Sequence, residues 1–269
     1  MRSRAVITLA VFALAISAVA AAQPQGTARL HPWGRFEPGS WKVVRVVTET
    51  LNEQGQVVST STADTRTTLL GLDGDGVTLE VQACVEVAGK RFQAERQTVK
   101  QDFFSEPAGP SLTVSEPADT QILVEGRKIA CKVYQLETVD GREKMATSVY
   151  CSTAIPPYVL KREAVTTGAD GKTVLSETGV EIVALDMPVR VRGETRSGSY
   201  VKTVHKNGKG TVTTLAVVLP DVPGGVVSHN SKEIDPNGRV IRRSTLELLD
   251  YNAEPERPAN RRRASRRAK

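Results

Sequence analysis

The stretch Val77-Thr78-Leu79-Glu80-Val81-Gln82-Ala83-Cys84-Val85-Glu86-Val87 decides the fold. Val77, Leu79, Val81, Ala83, Val85 and Val87 alternate with five mostly polar residues. Successive side chains of an extended chain point to opposite faces, so this spacing predicts a strand with one apolar face. Turn residues bound it, Asp73-Gly74-Asp75-Gly76 before and Ala88-Gly89 after. The same arrangement recurs outward in both directions. Asn52-Glu53-Gln54-Gly55, Asp140-Gly141, Asp170-Gly171, Asn207-Gly208 and Asp235-Pro236-Asn237-Gly238 all separate apolar runs. Asp-Gly and Asn-Gly supply the positive φ of tight hairpins, so neighbouring strands are expected to be antiparallel. Helical spacing is not sustained after the N-terminal segment, and about a dozen strands are expected. Ser105 to Pro117, with Pro107, Pro110 and Pro117, reads as a linker or long loop.

Composition points the same way. Of the 269 residues 39% are hydrophobic but only 4% aromatic, so Val, Leu, Ile and Ala must build the core. β-branched side chains favour sheets. The fold class expected is all-β: a large curved antiparallel sheet or half-barrel of repeated hairpin modules, following an N-terminal signal helix.

The chain also echoes itself. Ile155-Pro156-Pro157-Tyr158-Val159-Leu160 aligns with Val222-Pro223-Gly224-Gly225-Val226-Val227 at an offset of 67. Gly141 aligns with Gly208, and Asp170-Gly171 with Asn237-Gly238, at that same offset. A four-strand module over about 126–185 is therefore expected again at about 193–251.

The two termini differ from the body. Arg2 and Arg4 precede a largely apolar run from Ala5 to Ala22, which closes on Ala20-Ala21-Ala22. A basic start, an apolar middle and a small-residue exit make residues 1–22 a secretory signal peptide. The run is at the short end of the roughly 17–25 residues that span a bilayer, so an uncleaved anchor is the competing reading. Because the run is rich in Ala, cleavage is preferred, which leaves no transmembrane span in the mature chain and places it in the periplasm or outside the cell. Residues 23–38 read as a linker, 39–253 as the β domain, and 254–269 as a disordered basic tail.

The formal charge of +6 sits almost entirely in these termini. Arg2 and Arg4 account for +2, and the tail, with Arg261, Arg262, Arg263, Arg266 and Arg267 at its heart, for +5, leaving −1 for the body. A basic nucleic-acid groove is not expected. The Arg cluster suits an anionic envelope surface, since guanidinium groups bind phosphate and carboxylate bidentately; the alternative is a solvated tail without a dedicated partner.

Cys84, Cys131 and Cys151 are the cysteines, and an odd count in an exported chain suggests one bridge and one leftover thiol. If Asp140-Gly141-Arg142 is the hairpin loop, Cys131 faces Cys151 across the ladder and a Cys131–Cys151 disulfide follows. A two-residue turn would put the two on opposite faces instead.

Ile129-Ala130-Cys131-Lys132-Val133-Tyr134, Tyr150-Cys151-Ser152 and Ile155-Pro156-Pro157-Tyr158-Val159-Leu160-Lys161 form a strand, a second strand ending in Tyr-x-Ser, a Pro turn and a third strand. Over about a quarter of the chain this resembles the periplasmic lipoprotein carriers, half-barrel proteins of the envelope, and their uncharacterised secreted relatives. The resemblance implies a curved sheet cradling acyl chains under covering helices. No covering helix is legible in this chain.

No catalytic, cofactor or metal residues are assigned. His31, His205 and His229 lack a second His or Cys nearby in sequence and read as surface or strand residues. Ser228 and His229 are adjacent on a strand and cannot face each other, and no G-x-S-x-G elbow occurs. The expected function is non-enzymatic: an exported envelope β-sheet protein that binds or scaffolds, cradling an apolar or lipid-like ligand. The candidate ligand face is Val77, Leu79, Val81 and Val85 with Leu215 and Val217. The alternatives are an envelope hydrolase and a structural β-repeat assembly protein.

Overall fold

The structure, a computed structural model, describes residues 27–105 and 112–253. The signal peptide and the Arg-rich tail lie outside the described residues, as does the Pro107 to Pro110 part of the long loop. A single 3-10 turn, Thr27–Leu30, precedes fifteen strands, more than the dozen expected. They are β1 (Trp41–Leu51), β2 (Val57–Leu72), β3 (Val77–Val87), β4 (Lys90–Gln93), β5 (Gln97–Gln101), β6 (Thr113–Val114), β7 (Ala118–Val124) and β8 (Arg127–Asp140). There follow β9 (Glu143–Cys151), β10 (Val159–Thr167), β11 (Val174–Val191), β12 (Glu194–Asn207), β13 (Gly210–Val218), β14 (Val226–Ile234) and β15 (Val240–Asn252). The surplus over the expected count comes from the short strands β4 to β7, whose sequences alternate weakly.

All fifteen strands belong to one open antiparallel sheet ordered β4-β3-β2-β1-β15-β14-β13-β12-β11-β10-β9-β8-β6. β5 pairs with the first half of β3, and β7 with the first half of β8. The chain's first long strand is thus stitched to its last, Trp41 opposite Asn252. Every expected turn marks a connection between two strands, with Asp140 and Asn207 closing the strands before theirs. Two further hairpins were not marked: Glu125-Gly126 and Arg192-Gly193, with φ of 49° and 76° in one and 51° and 85° in the other.

The sheet is strongly curled, and the side chains at its ends prove it. From β3 to β8 the order crosses ten strand-to-strand steps; laid flat at about 4.8 Å each, these would span roughly 48 Å. Yet Phe103 packs with Val77 and Leu79 of β3, while its chain neighbour Phe104 packs with Tyr134 of β8 at 5.0 Å between ring centres. Both edges therefore come within side-chain reach of each other at this pole, although no backbone ladder joins them.

The inward face follows from register. Directly paired residues share a face, and the pairings run unbroken from Val87 through Ser61, Thr48, Ser244, Ser231, Thr214, Thr203, Val180, Arg162 and Val149 to Tyr134. Leu79 shares that face at one edge through the alternation of β3. The segment 27–36 touches both ends of the row. Trp33 packs with Leu69, Val77 and Leu79, and Leu30 with Tyr134, Val149 and Cys151. Where the sequence suggests a linker over 23–38, the described part is a plug packed against the inner face at one pole. The opposite rim holds the turns at 52–56, 88–89, 141–142, 168–173, 208–209 and 235–239.

Two corrections concern the cysteines and the outer stripe. Gly141 and Arg142 alone form the β8–β9 turn, with Asp140 opposite Glu143, so Cys151 faces Lys132 and not Cys131. The two thiols lie on opposite faces of the ladder in different packing clusters, and all three cysteines are free. Ala216, not Leu215 or Val217, shares the inner face, being paired with Val201 and His229. Leu215 is exposed on the outer face opposite Lys202 and Asn230, and Val217 stands opposite Tyr200 and Ser228.

Candidate functional site

The inner face is graded from the plugged pole to the open rim. At the pole the plug is densely packed. Leu69, Val77, Leu79, Trp33 and Phe103 form one buried cluster, completed by Ala28 and Phe36. His31 is almost fully buried there, at 2% exposure. Its Nδ1 accepts the Trp33 backbone N–H at 3.1 Å, so its Nε2 carries the proton and donates to Gln101 Oε1 at 3.3 Å. Burial holds its pKa down to about 4. No sequence pattern marks this role, because its partners are a backbone amide two residues on and a glutamine seventy residues away.

The plug also ties down the two long loops of the pole. Arg35 donates to Pro220 O and stacks 4.7 Å over the Tyr158 ring. Lys42 donates to Gly224 O and Val226 O at 3.3 Å each, with Nζ 5.9 Å from the Trp33 ring. Burial lowers the Lys42 pKa to about 8. Gly224 must be glycine: φ is 71°, and a Cβ would lie 2.7 Å from Trp33 Nε1.

Next comes an apolar row. Phe92, Val85, Ala63, Val46, Leu246, His229, Ala216, Val201 and Ile182 stand side by side across nine strands. Only Ala216 and Ile182 are buried; Val85, Ala63, Val46, Leu246, His229 and Val201 are half-buried, so the face is not a dry core. Desolvation lowers the pKa of His229. One step toward the rim, Ser61, Thr48, Ser244, Ser231, Thr214 and Thr203 put six hydroxyl side chains in a row on six adjacent strands. Thr214 Oγ1 donates to Ser231 Oγ at 2.9 Å. A further step reaches Thr50, Arg242, Glu233, Val212, His205 and Thr178. Arg242 and Glu233 pair at 3.1 Å, and His205 Nδ1 lies 2.8 Å from Thr178 Oγ1.

Of the expected ligand residues, Val77 and Leu79 lie beneath the plug, while Val81 and Val85 continue the inner face half-buried. No sequence pattern marks the hydroxyl row. Its members are ordinary polar residues in their own strands, and only the register between strands lines them up. On the β8–β9 side the inner face is filled by Phe104, Leu112 and Val114 against Tyr134 and Leu136. A separate cleft of about 840 Å³ opens at the pole, lined by Leu30, Asp119, Cys131, Lys132, Tyr134 and Cys151 among others. Lys132 and Asp119, opposed neighbours on β8 and β7, pair at 3.6 Å, and burial pushes the Cys151 thiol up to about 12, which suppresses its nucleophilic thiolate. Among the described residues no group of three His, Cys, Asp or Glu is placed to hold a metal ion. Nor, among them, is any helix long and apolar enough to cross a membrane.

No protein-family model matches the chain, and no curated protein does. Solved structures do. A "putative exported protein with YmcC-like fold" from Bacteroides fragilis is similar over 81% of this chain and 97% of its own, at 9% identity and a TM-score of 0.33. A "putative lipoprotein" from Parabacteroides distasonis is similar over 80% of this chain and 97% of its own, at 12% identity and a TM-score of 0.28. Likeness at this level carries no functional argument, so the functional reading rests on the sheet itself.

Proposed function

We propose that this is an exported envelope protein that binds an apolar or lipid-like ligand on the inner face of its curled sheet, without catalysing a reaction. The observation that carries the reading is the grading of that face. An apolar row half open to solvent, bordered by six hydroxyl groups and then by the Arg242–Glu233 pair, matches an amphiphile with its apolar part toward the plug. Ligand sites are mostly apolar with a few placed polar groups. Export is read from residues 1–22, and the relation to the lipoprotein carriers remains a resemblance of the strand pattern. We also read β8–β11 and β12–β15 as copies of one module. Tyr150, Ile155 and Leu160 of one packing cluster stand 67 residues before Val217, Val222 and Val227 of another.

Native mass spectrometry and lipid extraction of protein purified from its envelope test the binding. A co-purifying amphiphile is expected, and its loss in Leu246→Glu with little loss of stability, because Leu246 lies in the half-open row. A ligand-free protein that also ignores fluorescent fatty acids overturns the reading. Edge strands favour a second reading, assembly with other chains: β4 is exposed at every residue, Phe92 included, and unpaired edges template strand addition. Concentration-dependent oligomers abolished by Arg91→Pro would support it.

A further inference from the structure

The apolar row of the inner face is bounded on three sides and open on the fourth. Toward the pole lies the plug, where Trp33, Val77, Leu79 and Phe103 are packed together and buried. At its β11 end the row stops at Ile182, which is buried among Val124, Ile129, Leu160 and Leu185. Toward the rim stand the six hydroxyl side chains and then Arg242, ion-paired with Glu233. The β4 end differs from all of these. β4 is the last strand of the sheet order and pairs with β3 alone. Its Phe92, opposite Val85, is 58% exposed, whereas Phe103 and Phe104 are buried. Val99 of β5, opposite Leu79, continues the same free edge and is exposed as well.

The opposite edge is apolar on the same side. Val114 of β6 stands opposite Leu136, and with Leu112 it packs against the Tyr134 and Leu136 cluster. Phe103 and Phe104 bring the two edges together at the pole, and among the described residues no backbone ladder joins them toward the rim. An amphiphile thus has two routes onto the row. Through the rim its apolar part would cross the hydroxyl groups and the Arg242–Glu233 pair, exposing methylenes to water and stripping water from polar groups. Through the seam it passes Phe92 and Val99 and keeps apolar contact throughout. We propose that the seam between β4–β5 and β6 is the portal by which the apolar part of the ligand enters and leaves the inner face. Phe92 stands at its threshold, and the polar end of the ligand stays with the hydroxyl row. The portal rests on the ligand reading given above and adds the route to it.

Stopped-flow binding of a fluorescent fatty acid to the purified protein tests the route. A residue met only in transit changes the barrier and not the two end states, so association and release slow together. Phe92→Lys is expected to slow both about tenfold, equivalent to about 1.4 kcal/mol on the barrier, with little change in Kd. Because Phe92 is exposed, the substitution should leave the fold intact, and Phe92→Leu should keep the wild-type rates. Thr50→Lys, which puts the same charge at the exposed end of the rim row, should change neither rate. Unchanged rates in Phe92→Lys, slower rates in Thr50→Lys instead, or a weaker Kd through faster release alone in Phe92→Lys would each overturn the portal and leave the ligand reading in place. A wild-type protein that binds neither the fatty acid nor any co-purifying amphiphile removes the ligand reading and the portal with it.

Discussion

His31 shows how much one buried residue decides. Its ring must be neutral to accept the Trp33 amide, and a second proton would put a charge inside the plug. In the unfolded chain the ring takes its proton near 6.5, but in the folded protein only near 4. Between these values unfolding takes up a proton, so stability is full above about 6.5 and falls as the pH drops toward 4. The expected loss is about 3 kcal/mol, at about 1.4 kcal/mol per unit of pKa. Urea unfolding at a series of pH values should give this slope, and His31→Gln should be less stable at pH 7 with a flatter profile over the same range. An unchanged profile in the variant would remove His31 as the cause. The cysteines give a second test. Cys84 is half-exposed on the outer face, opposite Asp64, whereas Cys151 is buried with its thiol held near 12. Iodoacetamide in native buffer should alkylate Cys84 well before Cys131 or Cys151, and non-reduced peptides should contain no Cys131–Cys151 bridge.

Elements were more legible than their partners. Val77–Val87 is a strand with the bounds its alternation gives, and the Asp-Gly and Asn-Gly pairs mark real connections, with Gly141, Gly171 and Gly238 at the positive φ that suits glycine while Gly208 turns without it. Register was less legible, since one residue more or less in a turn exchanges the faces of a whole strand. That is why Cys131 and Cys151 face each other in the expected register but stand on opposite faces in the observed one. The plug was not legible at all: Leu30, Trp33 and Phe36 are three apolar residues in a short segment broken by Pro32 and Gly34, and their partners lie on distant strands. Because one face serves as core at the pole and as open surface further on, substitutions along it should differ sharply. Leu69 is fully buried under Trp33, and Leu246 is half-buried in the apolar row. Leu69→Ala should cost about 2–5 kcal/mol through the cavity it leaves, and Leu246→Ala clearly less. Equal costs in urea titrations would mean that the row is packed as tightly as the plug.

On the scale of the whole molecule, the sheet solves its closure problem without closing its ladder. A barrel removes edges by hydrogen-bonding its first strand to its last. Here the chain's first and last long strands do pair, β1 with β15, but that seam lies in the middle of the sheet, and the free edges are β4 with β5 and β6 with β7. What holds those edges together at the pole is side-chain packing. Phe103 belongs to the β2–β3 side and Phe104 to the β8–β9 side, and Arg162 donates to Phe104 O at 3.2 Å from β10. Truncating the clamp should therefore act on both edges at once. Phe104→Ala is expected to cost about 3–5 kcal/mol and, more tellingly, to speed hydrogen exchange in both β5 and β8, although the two are remote in strand order. A cost without coupled exchange would make Phe104 an ordinary core residue. Coupled exchange would show that the curl is imposed by the plug and the two phenylalanines, so that the width of the inner face is set at the pole rather than along the strands.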